Sequence, residues 1–295
     1  MASGSIAIEK VGGKSTVTRC FSKYPLKLIT PKKVGSSSTS DAVWIYTLSY
    51  GGGIISGDCV SVELGLGDGC TAAMTTQAST KVYKSVGSKC SEQILEARVG
   101  RNALLVVIPD PVTCFSTARY SQKQVFRVFP DSNLVIVDWI TSGRHEVGEN
   151  WDFELYKSTN HIFLERDEPL FLDSVLLEER SGTSVAEQMQ GYRCIAMIII
   201  LGPKLTQLQS RVQDEVKQMM SVKFRAPTLA RGCQVQPGSE GSPTGPALLA
   251  SCSYFGPKGV GLVVRIAATT TDSVYVFLRH HLASLEPILG ISPYH

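Results

Sequence analysis

The first two thirds of the chain alternate short apolar, β-prone runs with turn residues. Val43–Ser49, Cys59–Leu64, Thr71–Thr76, Ala103–Ile108, Gln124–Phe129, Leu134–Trp139 and Trp151–Tyr156 each read as a strand. Between them stand Gly51-Gly52-Gly53, Gly65 to Gly69, Pro109-Asp110-Pro111, Pro130 to Asn133 and Ser142-Gly143. Many short strands at close spacing, punctuated by Gly, Pro and Asp, indicate a β layer or barrel-like scaffold rather than a doubly wound α/β fold. No fixed-period repeat is visible, so neither a propeller nor a regular solenoid is expected.

The last third changes character. Leu205, Leu208, Val212, Val216 and Met219 recur at steps of three and four, which predicts a helix over about 204–220 that opens just after Pro203. A second stripe, Val274, Leu278, Leu282, Leu285 and Leu289, predicts a helix over about 272–289 with Asp272 as N-cap and Gly290 as stop. Strands Ile195–Leu201, Leu248–Tyr254 and Gly259–Ala268 surround the two helices, whose apolar stripes are expected to pack on a sheet. Gly35–Asp41 and Gln236–Pro246 are rich in Ser, Gly and Pro and are expected as loops. With no clean linker, the expectation is one domain over 1–295, mainly β (α+β), with about two helices in its C-terminal third.

Composition narrows the partners. The 29 Lys plus Arg against 26 Asp plus Glu leave a net charge of only +3, too little for a dedicated nucleic-acid binder. The AVILMFWYC set is 43% of 295 residues, enough for a sizeable core. The longest strongly apolar run, Cys194–Leu201, is far short of a membrane span, and the first residues lack the apolar core of a secretory signal. The 8 cysteines are scattered without any C-x-x-C, as expected for reduced, mostly buried thiols. Together these features predict a cytoplasmic protein without nucleic-acid or membrane partners.

Familiar chemistry is missing. Gly52 and Gly57 match the outer glycines of a phosphate loop, but the next residue is Asp58, a carboxylate where lysine should draw phosphate in. No G-x-G-x-x-G joins a strand to a helix, and no G-x-S-x-G elbow is present. His280 and His281 fall in the last predicted helix, where half-exposed helix positions are expected, and the spacings of a tight zinc cage are absent. The acidic run from Glu165 to Arg180 suits a solvated face; near a cavity, its carboxylates would form a weak, exchangeable divalent-ion site.

Two segments gain meaning together. Gly51–Asp58 (GGGIISGD), followed after a strand and a Gly-rich turn by Thr75–Ser85 (TTQASTKVYKS), closely resembles the signature pair of the UreD (UreH) family of urease accessory proteins. Pro109–Arg119 (PDPVTCFSTAR) is similar to a further family stretch. Asp138–Trp151 contains the family's G-R-x-x-x-G-E as Gly143, Arg144, Gly148 and Glu149. Glu168-Pro169-Leu170 resembles the element that precedes a paired acidic position, here Asp173 where many relatives carry Glu. The resemblance runs from about Ser15 to the end, and the loop over 236–246 has no counterpart in it.

The resemblance implies a non-enzymatic scaffold that binds a UreF-type partner, which recruits a UreG-type GTPase, and that docks on urease apoprotein to deliver nickel. A carrier must release its ion, so nickel is expected as transient, weakly held cargo, with no tightly bound cofactor. Asp58, Asp138, Glu149 and Asp173 are the candidate transit carboxylates. Each has a plain alternative: Asp58 closing its own turn, Asp138 as a strand-end polar group, Glu149 paired with Arg144. Gly51, Gly52, Gly53, Gly57, Thr75, Thr76, Gln77, Lys81, Tyr83, Gly143 and Arg144 are motif positions. For Thr75–Ser85 the residues favour a fold-defining strand and bend, with the Thr hydroxyls and Gln77 satisfying backbone groups and Lys81 exposed. Two rivals remain open: a hydrolase using Asp58 or Glu149 as general base, and a β-rich binding module without a metal role.

Overall fold

A computed structural model describes residues 2–31, 40–225 and 246–294. The segments expected as loops, 35–41 and 236–246, fall almost wholly outside the described residues. In chain order the strands are β1 (Gly4–Val11), β2 (Lys14–Ser22), β3 (Leu26–Ile29), β4 (Val43–Ser49), β5 (Cys59–Leu66), β6 (Thr71–Thr76), β7 (Thr80–Val82), β8 (Ser91–Val99), β9 (Leu104–Val107), β10 (Val112–Cys114), β11 (Arg119–Val128), β12 (Asn133–Thr141), β13 (Leu155–Leu164), β14 (Glu168–Leu177), β15 (Cys194–Leu201), β16 (Leu248–Phe255) and β17 (Gly261–Ala268). The helices are α1 (Val185–Gln188), α2 (Thr206–Arg225), α3 (Thr271–Leu282) and α4 (Glu286–Leu289).

These strands form two sheets. The outer sheet has the order β14-β13-β11-β8-β5-β1-β2, and the central sheet runs β16-β17-β15-β12-β9-β6-β4-β3 with β10 and β7 beside it. From β4 to β13 the chain mostly alternates between the sheets, and strands of successive coils pair in parallel within each sheet. Ala72 pairs with Val43 on one side and Leu105 on the other, and Leu105 pairs in turn with Leu134. Likewise Gln93 lies beside Val60 and Gln122. The middle of the chain is therefore a solenoid of coils of about 30 residues, contrary to the expectation from the missing repeat. Its coils are unequal in length and its turns differ in chemistry, so no period shows in the letters.

Alternation along the strands dictates three layers. In β5 and β8 the buried residues alternate with exposed ones, so the outer sheet keeps one face in water. β12 is buried throughout, as a strand covered on both faces must be. Leu134 and Ile136 meet Val62, Leu95 and Phe126 between the sheets, while Val135, Val137 and Trp139 meet Leu208, Val212, Val274 and Leu278 of the helices. Each such fully buried aliphatic side chain contributes about 1.5–3 kcal/mol.

Both helical stripes pack as expected, with different boundaries. α2 is preceded by a 3-10 turn over Pro203–Leu205 and extends to Arg225. Thr270, not Asp272, caps α3 by accepting the Ser273 N–H. The expected continuous helix to Leu289 breaks at a 3-10 turn over Ala283–Leu285, because Pro287 has no N–H to donate and its ring crowds the preceding turn. Gly290 ends the segment in the left-handed conformation, as anticipated. Trp151–Tyr156 is not a strand at its start. Trp151 has φ 63° and inserts with Phe153 into an aromatic end-core, and β13 begins at Leu155. Of the described cysteines, Cys70, Cys114 and Cys194 are buried, whereas Cys20 and Cys59 are exposed.

Candidate functional site

Asp138 interrupts an apolar strand. On β12 it shares a face with Leu134 and Ile136, so strand alternation aims its carboxylate into the space between the sheets. It lies within the strand, not at the strand end where a polar group was expected. Across from it the outer sheet answers with polar residues at matching inward positions, Gln122 and Gln124 on β11 and Ser158 and Asn160 on β13. Gln122 Nε2 donates to Asp138 Oδ1 at 3.0 Å, while Ser158 Oγ and Asn160 Nδ2 donate to Oδ2 at 2.5 and 2.6 Å. Gln124 Nε2 donates to Asn160 Oδ1 at 3.0 Å, and Tyr120 OH donates to Gln93 Oε1 at 2.9 Å. Burial pushes the Asp138 carboxyl above the usual range, the three donors pull the other way, and Asp173 adds a like charge.

This polar belt stands where cavities meet. A cavity of about 680 Å³, bounded in part by edge strands β14 and β16 and by Met219 and Met220 of α2, has a mostly apolar wall in which Asp138, Ser158, Asp173, Ser251 and Arg265 are the polar members. A small interior cavity of about 60 Å³ is lined by Asp138, Gln93, Gln122, Gln124, Thr75 and Thr76. A third, of about 190 Å³, shares Thr76, Thr80 and Gln93 with the second and reaches Gly52, Gly53 and Gln77. Asp138 and Trp139 are common to the first two linings. Asp173 Oδ1 accepts from Arg265 Nη2 at 2.7 Å, and its buried Oδ2 has no hydrogen-bond partner.

Of the four candidate carboxylates, then, the fold brings Asp138 and Asp173 together and places Asp58 and Glu149 elsewhere. Asp58 Oδ2 accepts from the Ile55 N–H at 3.2 Å while its own N–H donates to Ile55 O at 2.9 Å, closing the turn after the glycines. Glu149 is buried and holds the 142–151 loop. Its Oε1 accepts from Arg144 Nη2 at 2.6 Å and the Ser116 N–H at 3.1 Å, and its Oε2 from the Arg144 N–H and Nε at 3.0 and 3.1 Å. The Arg144 guanidinium, which also sits 3.9 Å from the centre of the Phe115 ring, holds the Glu149 carboxyl at a pKa of about 2. So strong an acid is a poor general base near neutrality. Gly143 packs against this pair at φ 116°, where an added Cβ would sit 3.1 Å from the Glu149 Cβ.

The two signature segments form one lock. Ile54 N–H donates to Lys81 O at 2.8 Å, Tyr83 N–H to Ile54 O at 3.0 Å, and Tyr83 OH to Gly51 O at 3.2 Å. Gly53 must be small because an added Cβ would lie 2.6 Å from Lys81 O and 2.7 Å from the Tyr83 ring. Gly51, Gly52 and Gly57 all have positive φ. Thr75 Oγ1 donates to Ile108 O at 2.8 Å, and Thr76 Oγ1 accepts the Asp110 N–H at 2.9 Å, as the backbone-satisfying role requires. Lys81 is exposed as expected, whereas Gln77, expected to satisfy backbone groups in the bend, is exposed instead.

Sequence reasoning missed Gln93, Gln122, Gln124, Ser158, Asn160 and Arg265. Amides at alternate positions of two β-prone runs, Gln122-x-Gln124 and Ser158-x-Asn160, were the available signal. It also misplaced His281, expected half-exposed, which is buried against Phe277. No described helix is long and apolar enough to cross a membrane.

The chain matches the family model described as UreD urease accessory protein over residues 1–294. It is 62% identical over 293 residues to a rice (Oryza sativa subsp. indica) protein named urease accessory protein D, covering 99% of this chain and 95% of that one. It is 61% identical to the Arabidopsis thaliana protein of the same name, with both chains covered in full. A bacterial relative from Anaeromyxobacter, named urease accessory protein UreD, is 31% identical over 99% of this chain and 88% of its own.

Proposed function

Because the chain belongs to the UreD family of urease accessory proteins, we propose that it is a non-enzymatic cytoplasmic scaffold that binds UreF-type and UreG-type partners and passes nickel to urease apoprotein. The observation that carries this reading is the carboxylate of Asp138 in the shared wall of two cavities, within a polar belt set in the apolar packing between the sheets. A cation crossing such an interior needs oxygen donors that bind briefly and let go. Carboxylates and amide oxygens suit that role better than a His/Cys cage, and acidic lining favours cation entry. Nickel is cargo in this scheme, held for transit and not retained.

The test is replacement in a urease-bearing cell that lacks its own copy of the gene. Asp138→Asn is expected to co-purify with the same partners as the wild type while the nickel content of urease falls. Normal nickel content in the Asp138→Asn strain, without nickel supplementation, would refute passage by this route. Normal urease activity in the strain with no copy at all would refute the maturation role itself.

A further inference from the structure

A second group of ligating atoms lies on the helical layer, away from the belt. Glu215 of α2 and His280 and His281 of α3 offer one ligand atom each, all within 4.8 Å of one another among the described residues. His280 Nε2 is 2.7 Å and His281 Nδ1 3.3 Å from the same oxygen, Glu215 Oε2. The three differ in access. His281 is 3% exposed, His280 66%, and Glu215 lies between, so the group is a buried anchor reached from solvent.

The decisive detail is His281 Nδ1, a buried nitrogen with no hydrogen-bond partner although a carboxylate oxygen is close by. A buried polar atom left without a partner is costly, and a native site that tolerates one requires an explanation. Arg211 does not satisfy this nitrogen: its Nη2 donates to His281 O at 3.0 Å and Ser284 Oγ at 2.9 Å.

We propose that Glu215, His280 and His281 bind a divalent transition-metal ion of the zinc and nickel class, with water completing the coordination, at a site separate from the passage between the sheets. Two imidazoles and one carboxylate select such ions over Mg²⁺ and Ca²⁺, which prefer all-oxygen shells. Tetrahedral coordination at about 2.0–2.2 Å separates ligand atoms by about 3.3–3.5 Å. The His281–Glu215 spacing meets that already, and the exposed His280 ring has room to swing outward from 2.7 Å. The ion would clamp α3 to α2 one turn from Met219, which lines the large cavity, so its occupancy would stiffen one wall of that cavity.

The test uses the full-length chain and the metals themselves. Zn²⁺ and Ni²⁺ titrations by calorimetry are run on wild type, His280→Ala, Glu215→Gln and Asp138→Asn, with Co²⁺ as a visible-absorption probe of imidazole coordination. The expected result is one site in wild type and Asp138→Asn, weakened at least about 10-fold in His280→Ala and Glu215→Gln, whose far-ultraviolet circular dichroism stays native because both positions are accessible. A Zn²⁺-dependent rise in melting temperature should accompany binding and vanish in His280→Ala. Equal affinity in wild type, His280→Ala and Glu215→Gln would overturn the proposal. So would the absence of binding to wild type, or equal competition by Mg²⁺.

Discussion

Replacing Glu149 by Gln separates a structural carboxylate from a transport one. The side chain accepts four hydrogen bonds, three of them from Arg144. Its carboxyl is drawn from 4.5 to about 2, chiefly by the Arg144 guanidinium and against the cost of burial. A shift of that size corresponds to at most about 3 kcal/mol of stability at neutral pH. Because Arg144 is itself 41% exposed, solvent screening reduces the expected loss in Glu149→Gln to about 1–2 kcal/mol. The sign follows from the depressed pKa. The stabilisation is complete above the unfolded value of 4.5 and disappears as pH falls through about 2. Urea unfolding of both proteins, followed by tryptophan fluorescence at several pH values, should show a stability gap that is constant above pH 5 and closes towards pH 2. A gap of zero at pH 7, or one that does not narrow on acidification, would refute the ion-pair argument. Glu149→Gln should also leave the nickel content of urease unchanged once expression is matched, and a specific loss of nickel would return Glu149 to the transit path.

Further outcomes follow from the same contacts. Gly53→Ala should destabilise the fold by about 1–3 kcal/mol, because its Cβ meets backbone at Lys81 O and the Tyr83 ring; a melting temperature equal to wild type would show that the lock can yield. Arg265→Ala removes the cation facing Asp173 in the large cavity, so equilibrium dialysis should register more weakly held Ni²⁺ than in wild type, and no increase would argue that Asp173 does not meet the ion. Leu172, Leu176, Leu249 and Tyr254 are exposed on edge strands β14 and β16, so the chain should be poorly soluble when expressed alone and improve with a UreF-type partner; equal solubility in both cases would remove the partner argument.

The helical layer was legible because its stripes obey one period: every apolar position read from Leu205 to Val216 and from Val274 to Leu289 is buried. Strand existence was legible for the same reason wherever a strand is apolar. β1, β2 and β8 were missed because their outward faces carry Lys, Arg, Glu or Thr and no more than about one residue in two is apolar, and β14 because it lies inside the stretch from Glu165 to Arg180 that reads as an acidic, solvated face. The solenoid was hidden for a different reason. Coils align through backbone ladders that do not depend on side-chain identity, so Thr71, Leu104 and Asn133 occupy equivalent places without resembling one another. At the site, Asp138 and Asp173 were found by family resemblance, whereas the amides that hold Asp138 carry no charge and match no motif. Asp58 and Glu149 make the contacts of their plain alternatives, Asp58 closing its own turn and Glu149 pairing with Arg144, since residues in a strong motif can be there to build turns.

The polar belt is difficult to explain as a stability device. An ionised carboxylate at Asp138 gives up its hydration, and burial raises its pKa despite three donors. A Leu at 138, with apolar partners on β11 and β13, would continue the packing that Leu134, Ile136, Phe126 and Ile162 already make on the same faces. The belt also spans both sheets, so forming it requires the β11–β13 and β12–β15 pairings to be in register together. A structural role in register would be met by the hydrogen bonds alone and would not need cavities on either side. The cavities are what distinguish the two explanations. Donors that were merely specifying register would be packed dry, whereas Asp138 faces about 680 Å³ on one side and, on the other, a small chamber where Gln93, Gln122 and Gln124 stand among apolar residues. If ions pass between the sheets as proposed, the carboxylate at that junction is the group they would meet on the way.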